Sequence, residues 1–527
     1  MAGSLPINGV FPVFKKTRRG GDGKYARSRL LVASVSLFIL APTASVLAQL
    51  LGTNLFPSDN PWNQSIANAP VAANSAAVMN NIVSAYGNNR FHPDFGEVTG
   101  GTSDLYGVPF NVVHGNTTPK ISVVLGIYAS QSDPQPCPIP ANAVLEGDYQ
   151  NGPRFGVNAR GDSHLLVWDA DTNILYEFYR ASRPSENGDG KWHADSQAVW
   201  DLNVNSFRPR GWTSADAAGL PILTGLARPD ELASGVIRHP LRFTLQNAVI
   251  LNKYIYPGSH VANPGNNNAA IQPPMGSRFR LKASVNISNM YPQSKIVAQA
   301  MKDYGLILAD NGSNFFVTGA SYSVDANNAF TVTWDDDDIQ DSVRGLKSLR
   351  YADFEMVDLT PIVTGLSASS GAPGSSLTVI GQNFSGSCGN LSVLFGSTPA
   401  TNVTFVDDGH LLVTVPAGSG AVDVRVRSGI VTPAETQNIK SPIFGYGISA
   451  IEPDAQFTFG AACPGDLNGD SMVDDSDFVI FAGAYDLLDC ADPSMPAGCP
   501  GDLNDDGFVD DADFVVFANA YNALVCL

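Results

Sequence analysis

Two acidic segments in this 527-residue chain repeat each other at an interval of 36 residues, and they constrain the fold more than any other feature. The first reads GDLNGDSMVDDSDFVIFAGAYD from Gly465, and the second reads GDLNDDGFVDDADFVVFANAY from Gly501. Carboxylates this close repel one another and favour an open, solvated loop unless a positive charge lies between them. The repeat therefore predicts two cation-binding loops.

The oxygen-bearing residues of each segment have the spacing of a calcium-binding loop. Such loops use side chains at positions 1, 3, 5, 9 and 12 and a backbone carbonyl at position 7. Gly507 supplies the sharp turn at position 6 of the second loop, where the first loop has Ser471, so we expect the first site to be the weaker. We predict about two Ca²⁺ ions, held by Asp466, Asn468, Asp470, Met472, Asp474 and Asp477 and by Asp502, Asn504, Asp506, Phe508, Asp510 and Asp513.

Beyond each loop, apolar residues spaced by three and four predict a short helix. Phe478, Val479, Phe481, Ala482 and Tyr485 should share one helix face, and the second unit repeats them. The tandem pattern GDLNxDxxVDxxDFxxFxxxY resembles a type I dockerin module over residues 463–527. That resemblance implies a small all-α module that folds on calcium and docks onto a cohesin-like or cell-surface partner.

Cysteine spacing follows the same repeat. Four of the six cysteines lie in the repeated region, at Cys463, Cys490, Cys499 and Cys526. Four cysteines allow three connectivities, and the repeat favours Cys463–Cys490 and Cys499–Cys526, one bridge per unit. Cys137 and Cys388 are expected to be buried or free.

The N-terminal residues predict export. A basic stretch precedes an apolar run of 12 residues and then Val46-Leu47-Ala48, which is the order of a secretory signal peptide over residues 1–48. The apolar run is shorter than the roughly 20 residues of a membrane-spanning helix. We therefore predict a secreted or cell-surface protein without a membrane span.

Charge excludes one class of partner. Removing residues 1–48 takes away seven basic residues and one acidic residue, so the formal charge falls from −19 to −25. Nucleic-acid binding through phosphate neutralisation needs a basic face. We therefore expect no nucleic-acid partner.

The length predicts three or four domains. Short alternating strands separated by Gly, Pro and Ser clusters begin with PIVTGLSASSGAPGSSLTVIGQNFSG and indicate an antiparallel sandwich over residues 359–449. This region resembles an IPT/TIG immunoglobulin-like domain, which implies a spacer, with direct glycan binding as the alternative. A linker is predicted at 450–462, and the central module at 49–358 is predicted to be an α+β domain built on a β-sandwich. Its predicted helices cover Ser75 to Tyr86, a segment after WTSADAAGLPIL, and Ser294 to Tyr304.

A predicted hairpin from Asp162 to Ala181 supplies the candidate catalytic residues. A turn at Asp171-Thr172 sets Leu166 opposite Glu177 and His164 opposite Tyr179. Alternation then places a carboxylate pair, an imidazole and aromatic rings on one face, as a sugar site requires. We predict catalytic roles for Glu177, His164 and Asp162 and substrate contacts for Trp168 and Tyr179. The alternative is a buried His164–Glu177 pair with a structural role.

Cations at alternate positions form a second candidate site. Arg278 and Arg280 should share a strand face with Lys282 and clamp an anionic sugar such as a uronate, or else form salt bridges within the domain. His239, His260, Asp216 and Asp310 lie beside Gly- and Pro-rich turns, from which each could reach a cleft, but none belongs to a specific motif.

Standard catalytic motifs such as HExxH, GxSxG and GxxxxGK[ST] are missing from the sequence. The prediction of a polysaccharide substrate depends on the attached modules more than on the central module. We expect a glycoside hydrolase, or a lyase, with Glu177 as proton donor or base assisted by His164 and Asp162. The alternative is a non-enzymatic cell-surface or glycan-binding protein attached through its calcium module.

Overall fold

The computed structural model describes most of the chain beyond the predicted signal peptide. The described residues are 47–97, 105–148, 162–262, 265–431, 437–440, 443–460, 464–468, 472–504 and 506–523. They belong to one compact unit, Ser45–Leu527. Within these ranges no helix has both the length and the apolar character needed to cross a bilayer.

The central module consists mainly of short strands. Its strands are β1 Gln49–Leu50, β2 Thr53–Asn54, β3 His92–Asp94, β4 Gly96–Glu97, β5 Leu105–Tyr106, β6 Phe110–Val113, β7 Lys120–Ile121, β8 Val124–Leu125, β9 Cys137–Pro138, β10 Leu165–Asp169, β11 Ile174–Tyr179, β12 His193–Ala194, β13 Ser196–Asp201, β14 Leu241–Leu245, β15 Leu251–Tyr254, β16 Pro274–Met275, β17 Arg278–Leu281, β18 Leu306–Asn311, β19 Phe316–Thr318, β20 Ser323–Val324, β21 Phe330–Val332 and β22 Phe354–Met356. Its α-helices are α1 Ser75–Tyr86, α2 Pro292–Asp303 and α3 Asp336–Ile339.

Two mixed sheets form the body of this module. One has the order β13-β11-β10-β6, and the other has the order β22-β17-β18-β14-β19-β3. Residues of both sheets, including Trp168 and Phe243, belong to one hydrophobic core. The opposite face of the four-stranded sheet packs in a second cluster with Leu165 and Val167. Because both faces of β10 are covered, every residue of LLVWD is buried.

The helix predictions are partly confirmed. Helix α1 has the predicted bounds, and it ends at Gly87, whose φ of +80° favours glycine. Helix α2 begins two residues before the predicted start. The helix predicted after WTSADAAGLPIL is wrong, since the structure has 3₁₀ turns at Leu223–Gly225 and Pro229–Ser234. Pro229 disfavours the α conformation at the residue before it and so interrupts a continuous helix.

A second sandwich, called here the sandwich domain (residues 362–459), follows the central module. Its strands are β23 Ile362–Leu366, β24 Ser370–Gly371, β25 Ser376–Gln382, β26 Leu391–Phe395, β27 Thr398–Pro399, β28 Asn402–Asp407, β29 His410–Thr414, β30 Gly420–Ile430, β31 Ile443–Ile448 and β32 Gln456–Phe459. Sheets β23-β25-β29-β28 and β24-β32-β30-β26-β27 enclose one core. The predicted linker at 450–462 is corrected, because β32 pairs with β30 and its Phe457 is buried in that core.

The sandwich domain packs directly against the central module. Tyr446 donates its hydroxyl to Gln64 Oε1 at 2.7 Å, and Gln64 Nε2 donates to the Ser385 carbonyl at 3.0 Å. Lys440 forms an ion pair with Asp358 at 3.0 Å. Side chains from both parts share a buried cluster made of Ile66, Ala69, Tyr256, Val357, Leu359 and Tyr446.

The C-terminal repeats form two loop-helix units. Helices α4 Asp475–Tyr485 and α5 Asp511–Ala523 follow the loops, and Phe481 and Phe517 stack in a small core at a ring-centroid distance of 4.9 Å. The predicted apolar face is only partly correct, because Phe478 is 45% exposed and Val479 is 70% exposed.

The predicted disulfide pairing is wrong. Cys490 is bonded to Cys499, with a Cα–Cα distance of 5.4 Å, whereas Cys463 and Cys526 lie outside the described residues. Cys490 ends the first unit and Cys499 begins the second, and the packing of the two units brings these ends together. Sequence repetition does not reveal such a contact between units. Of the remaining cysteines, Cys137 is a buried free thiol and Cys388 is a half-buried one.

Candidate functional site

A polar cavity of about 470 Å³ opens on the central module, and we call it the acidic cavity. Its walls carry ionisable and aromatic side chains from distant parts of the sequence: Tyr128, Asp162, Tyr179, Asp216, His260 and Asp310. Tyr128 and Tyr179 lie side by side, with ring centroids 6.3 Å apart. The cavity therefore combines carboxylates with two aromatic surfaces.

Local structure fixes two of these carboxylates. Asp310 lies on β18 at a bulge opposite β14, where the register shifts between Phe243 and Thr244. Bulges redirect side chains and are frequent next to active sites. Asp216 lies in a loop whose backbone accepts hydrogen bonds from the hydroxyls of Thr213 and Ser214.

Arg242 joins the two carboxylates from behind the cavity. Its Nε donates to Asp216 Oδ2 at 3.0 Å and its Nη2 to Asp216 Oδ1 at 2.7 Å. The same Nη2 lies 3.7 Å from Asp310 Oδ2, and Nη1 donates to Thr318 Oγ1 at 2.5 Å. A buried, bidentate arginine is strongly oriented and favours an ionised partner. Both oxygens of Asp216 are therefore fixed in position by Arg242.

The second carboxyl of the pair, Asp310, has a raised pKa. Burial and the adjacent, hydrogen-bonded Asp216 raise the pKa of Asp310 well above its usual range, and the attraction of Arg242 only partly opposes this. Two carboxyl groups this close do not both ionise readily. Asp310 therefore holds its proton more firmly than an ordinary aspartic acid does.

A buried ion pair lies next to these residues. His164 Nδ1 donates to Glu146 Oε2 at 2.7 Å, and Nε2 donates to the carbonyl of Ala215, the residue before Asp216, at 3.1 Å. Burial acts to lower the pKa of His164, but the charge and hydrogen bond of Glu146 outweigh it and raise the pKa to about 9. The protonated imidazole thereby links Glu146 to the Asp216 loop.

Asp94 on β3 adds a further, half-buried carboxyl. Burial and then the charge of Glu146 raise its pKa to about 6, and Arg242 opposes them. We call Asp94, Glu146, His164 and Arg242 the charge cluster. It sets the electrostatic environment of the acidic cavity without forming its wall.

The His164–Glu146 pair should make stability depend on pH. The folded-state pKa of His164 is raised from 6.5 to about 9, so the pair stabilises fully below pH 6.5 and loses that contribution as the pH rises through about 9. The free energy of unfolding of the wild type should therefore fall relative to His164→Asn by about 3 kcal/mol across this range. Urea denaturation at a series of pH values measures the difference. Parallel curves for the two proteins would contradict the assignment.

The predicted catalytic hairpin has the correct register but a different role. Leu166 pairs with Glu177 as predicted. Glu177, however, is fully buried and accepts hydrogen bonds from the backbone of Ile222 and Leu223 and from the Trp200 indole. Burial, opposed by these bonds, raises its pKa to about 7. The catalytic prediction for Glu177 is corrected, because no substrate reaches a carboxyl enclosed in the core.

The other predicted residues divide between the core and the cavity. Asp162 and Tyr179 line the acidic cavity. His164 is 4% exposed and paired with Glu146, so it is neither a partner of Glu177 nor a substrate contact. Trp168 is 1% exposed and donates its indole N–H to Asn173, which excludes the predicted stacking on a sugar.

The predicted anion clamp is also corrected. Arg278 is 3% exposed and donates to the carbonyls of Pro61 and Tyr304. Arg280 forms an ion pair with Glu355 at 2.8 Å and donates to backbone carbonyls that include Ala69. Both guanidinium groups are engaged within the domain and are not available to a sugar carboxylate.

Carboxylates of the second repeat loop converge as a cation site requires. Oxygens of Asp502, Asp506 and Asp513 all lie within 4.8 Å of one another. Hard oxygen donors at positions 1, 5 and 12 are the ligands that Ca²⁺ prefers. Asp513 and Asp477 occupy equivalent buried positions, each accepting backbone N–H groups of its own loop. Asp470 and Ser471 of the first loop lie outside the described residues.

Comparison with known proteins identifies one part of the chain. The sandwich domain has two sheets over one core, and a family model covers most of it. Residues 361–438 match the IPT/TIG domain family. The IPT/TIG prediction is confirmed, and β31 and β32 extend the sandwich beyond the matched residues.

Other comparisons give short or distant likenesses. No curated protein sequence matches the chain. An auxiliary nutrient binding protein from Bacteroides ovatus is 24% identical over 19% of this chain and 21% of that chain, with a TM-score of 0.14. A gamma-CGTase from alkalophilic Bacillus clarkii is 16% identical over 27% of this chain and 17% of that chain, with a TM-score of 0.15. The alignments span about a fifth of those solved chains.

Proposed function

We propose that the central module hydrolyses glycosidic bonds in the acidic cavity, with Asp310 as the proton donor. The observation that carries this proposal is a pair of adjacent carboxyl groups at the wall of an open cavity, in which Arg242 binds both oxygens of Asp216 and the pKa of the half-buried Asp310 is raised. Glycoside hydrolysis needs one carboxylic acid that protonates the leaving oxygen and a second carboxylate. The raised pKa of Asp310 suits it to the first role.

The second role falls to Asp162. It is an exposed carboxylate that lines the same cavity, so it can reach a water molecule or a sugar ring. Asp216 is enclosed by Arg242 and the loop, so it acts as a positioning residue that raises the pKa of Asp310. Tyr128 and Tyr179 offer ring faces on which the apolar side of a sugar stacks.

Hydrolysis by the full chain tests this proposal. A panel of polysaccharides is incubated with the wild type, and new reducing ends are measured. Asp310→Asn should lower the rate at least about 100-fold, the scale of general acid catalysis, without loss of thermal stability. Asp454→Asn, which removes an exposed carboxylate of the sandwich domain, should change nothing.

Two outcomes would count against the proposal. Full activity in Asp310→Asn would exclude that residue as the proton donor. Binding of a polysaccharide by the wild type without any new reducing ends would favour the alternative, a glycan-binding protein without hydrolytic activity.

We also propose that the repeated loops bind calcium and that the protein is exported. The convergence of Asp502, Asp506 and Asp513 supports the first statement. Bound Ca²⁺ would supply positive charge between these carboxylates, and the chain would hold it with the oxygens predicted from the sequence. A dockerin-like role in attachment to a cell-surface partner rests on the sequence resemblance alone.

A further inference from the structure

The walls of the acidic cavity carry charge of one sign. Asp162, Asp216 and Asp310 contribute three carboxyl groups, and none of the described lining residues is a lysine or an arginine. His260 is the remaining ionisable nitrogen of the described lining, and burial lowers its pKa, which disfavours the charged imidazolium. A ligand in this cavity therefore meets carboxylates and neutral groups.

Three described cations near the cavity, Arg242, His164 and Arg180, are paired within the protein. Arg242 and His164 are each 4% exposed, and both are engaged by carboxylates, namely Asp216 and Glu146. Arg180, next to Tyr179, forms an ion pair with Asp195 at 3.1 Å. These three cations of the described residues are thus engaged by carboxylates of the protein itself.

From this arrangement we infer that the acidic cavity binds glycans whose sugars carry a free, protonated amino group. The inference rests on the proposed function and names its substrate class. The ammonium group would pair with the exposed carboxylate of Asp162, and sugar hydroxyls would bond to the remaining polar groups. A uronate or sulfate ester would place a second negative charge among carboxylates, which opposes binding.

Binding of monosaccharides to the full chain tests the inference. Each amino sugar is compared with its neutral parent, and free monosaccharides make the result independent of the type of glycosidic bond. Ligand-observed NMR at pH 6 compares glucosamine, galactosamine and mannosamine with glucose, galactose and mannose and with glucuronate and galacturonate. We expect each amino sugar to bind about fivefold more tightly than its neutral parent and the uronates to bind least. This preference should shrink as salt is added, because the pair with Asp162 is partly exposed.

Variants distinguish a specific contact between the ammonium group and Asp162 from a general effect of the protein's negative charge. Asp162→Asn should remove the preference for amino sugars over their neutral parents, and Asp454→Asn should keep the preference. Equal or tighter binding of neutral sugars or uronates, or no binding of any amino sugar, would overturn the inference. If neutral polysaccharides are nevertheless cleaved with dependence on Asp310, the proposed hydrolase function stands and only the substrate class fails.

Discussion

Arg242→Met is expected to destabilise the central module by about 3 to 5 kcal/mol, which is a large part of the stability of an ordinary domain. The variant removes the guanidinium that contacts both oxygens of Asp216 and also lies 3.7 Å from Asp310. Asp216 is 1% exposed, so its charge would remain buried without a counter-charge. Urea denaturation of the full chain measures the loss.

A second substitution shows whether the lost ion pair is the cause. Arg242→Met combined with Asp216→Asn leaves no uncompensated charge, so it should regain more than half of the stability lost by the single variant. Arg344→Met, which removes an exposed arginine stacked on Tyr291, should cost less than about 1 kcal/mol. No recovery in the double variant would mean that Arg242 acts through packing instead.

Removal of calcium is expected to unfold the two repeats. Their core contains few fully buried side chains, and the loops place Asp502, Asp506 and Asp513 within 4.8 Å of one another. Without a cation these carboxylates repel one another, and such small modules depend on their metal for folding. Limited proteolysis of the full chain should cut the repeats at least about tenfold faster in EDTA than in millimolar calcium.

The control for this experiment lies in the same repeats. Asp506→Asn should make the repeats sensitive to protease at calcium concentrations that protect the wild type. Asp486→Asn, an exposed carboxylate outside both loops, should behave like the wild type. Equal protection with and without EDTA would refute the calcium assignment, and calorimetry should give about two ions per chain.

Periodicity predicted the local structure well and the site poorly. Helix α1 and the pairing of Leu166 with Glu177 follow directly from the sequence pattern. Alternation shows which residues share a strand face, but not that a second layer covers that face. The sequence pattern therefore predicts that Glu177 and Trp168 are accessible to a substrate, whereas both side chains are buried in the structure.

The site itself depends on contacts between distant segments. Asp216, His260 and Asp310 were noted beside turns, without a motif to connect them. The sequence does not predict Asp94, Glu146, Arg242 or Tyr128, because only the fold brings them together: Asp94 and Arg242 lie on strands of the six-stranded sheet, and Glu146 and Tyr128 lie in turns. Their only local signal is a charged residue between buried ones, as for Arg242 between Leu241 and Phe243.

The buried apolar cluster shared by the central module and the IPT/TIG domain determines where a recombinant fragment should end. Ile66, Tyr256 and Leu359 are covered by side chains that include Tyr446 from beyond residue 438. A truncation near residue 360 would expose this apolar patch to solvent and promote aggregation. Recombinant fragments for assays should therefore extend through Phe459, so that both partners of the patch are retained.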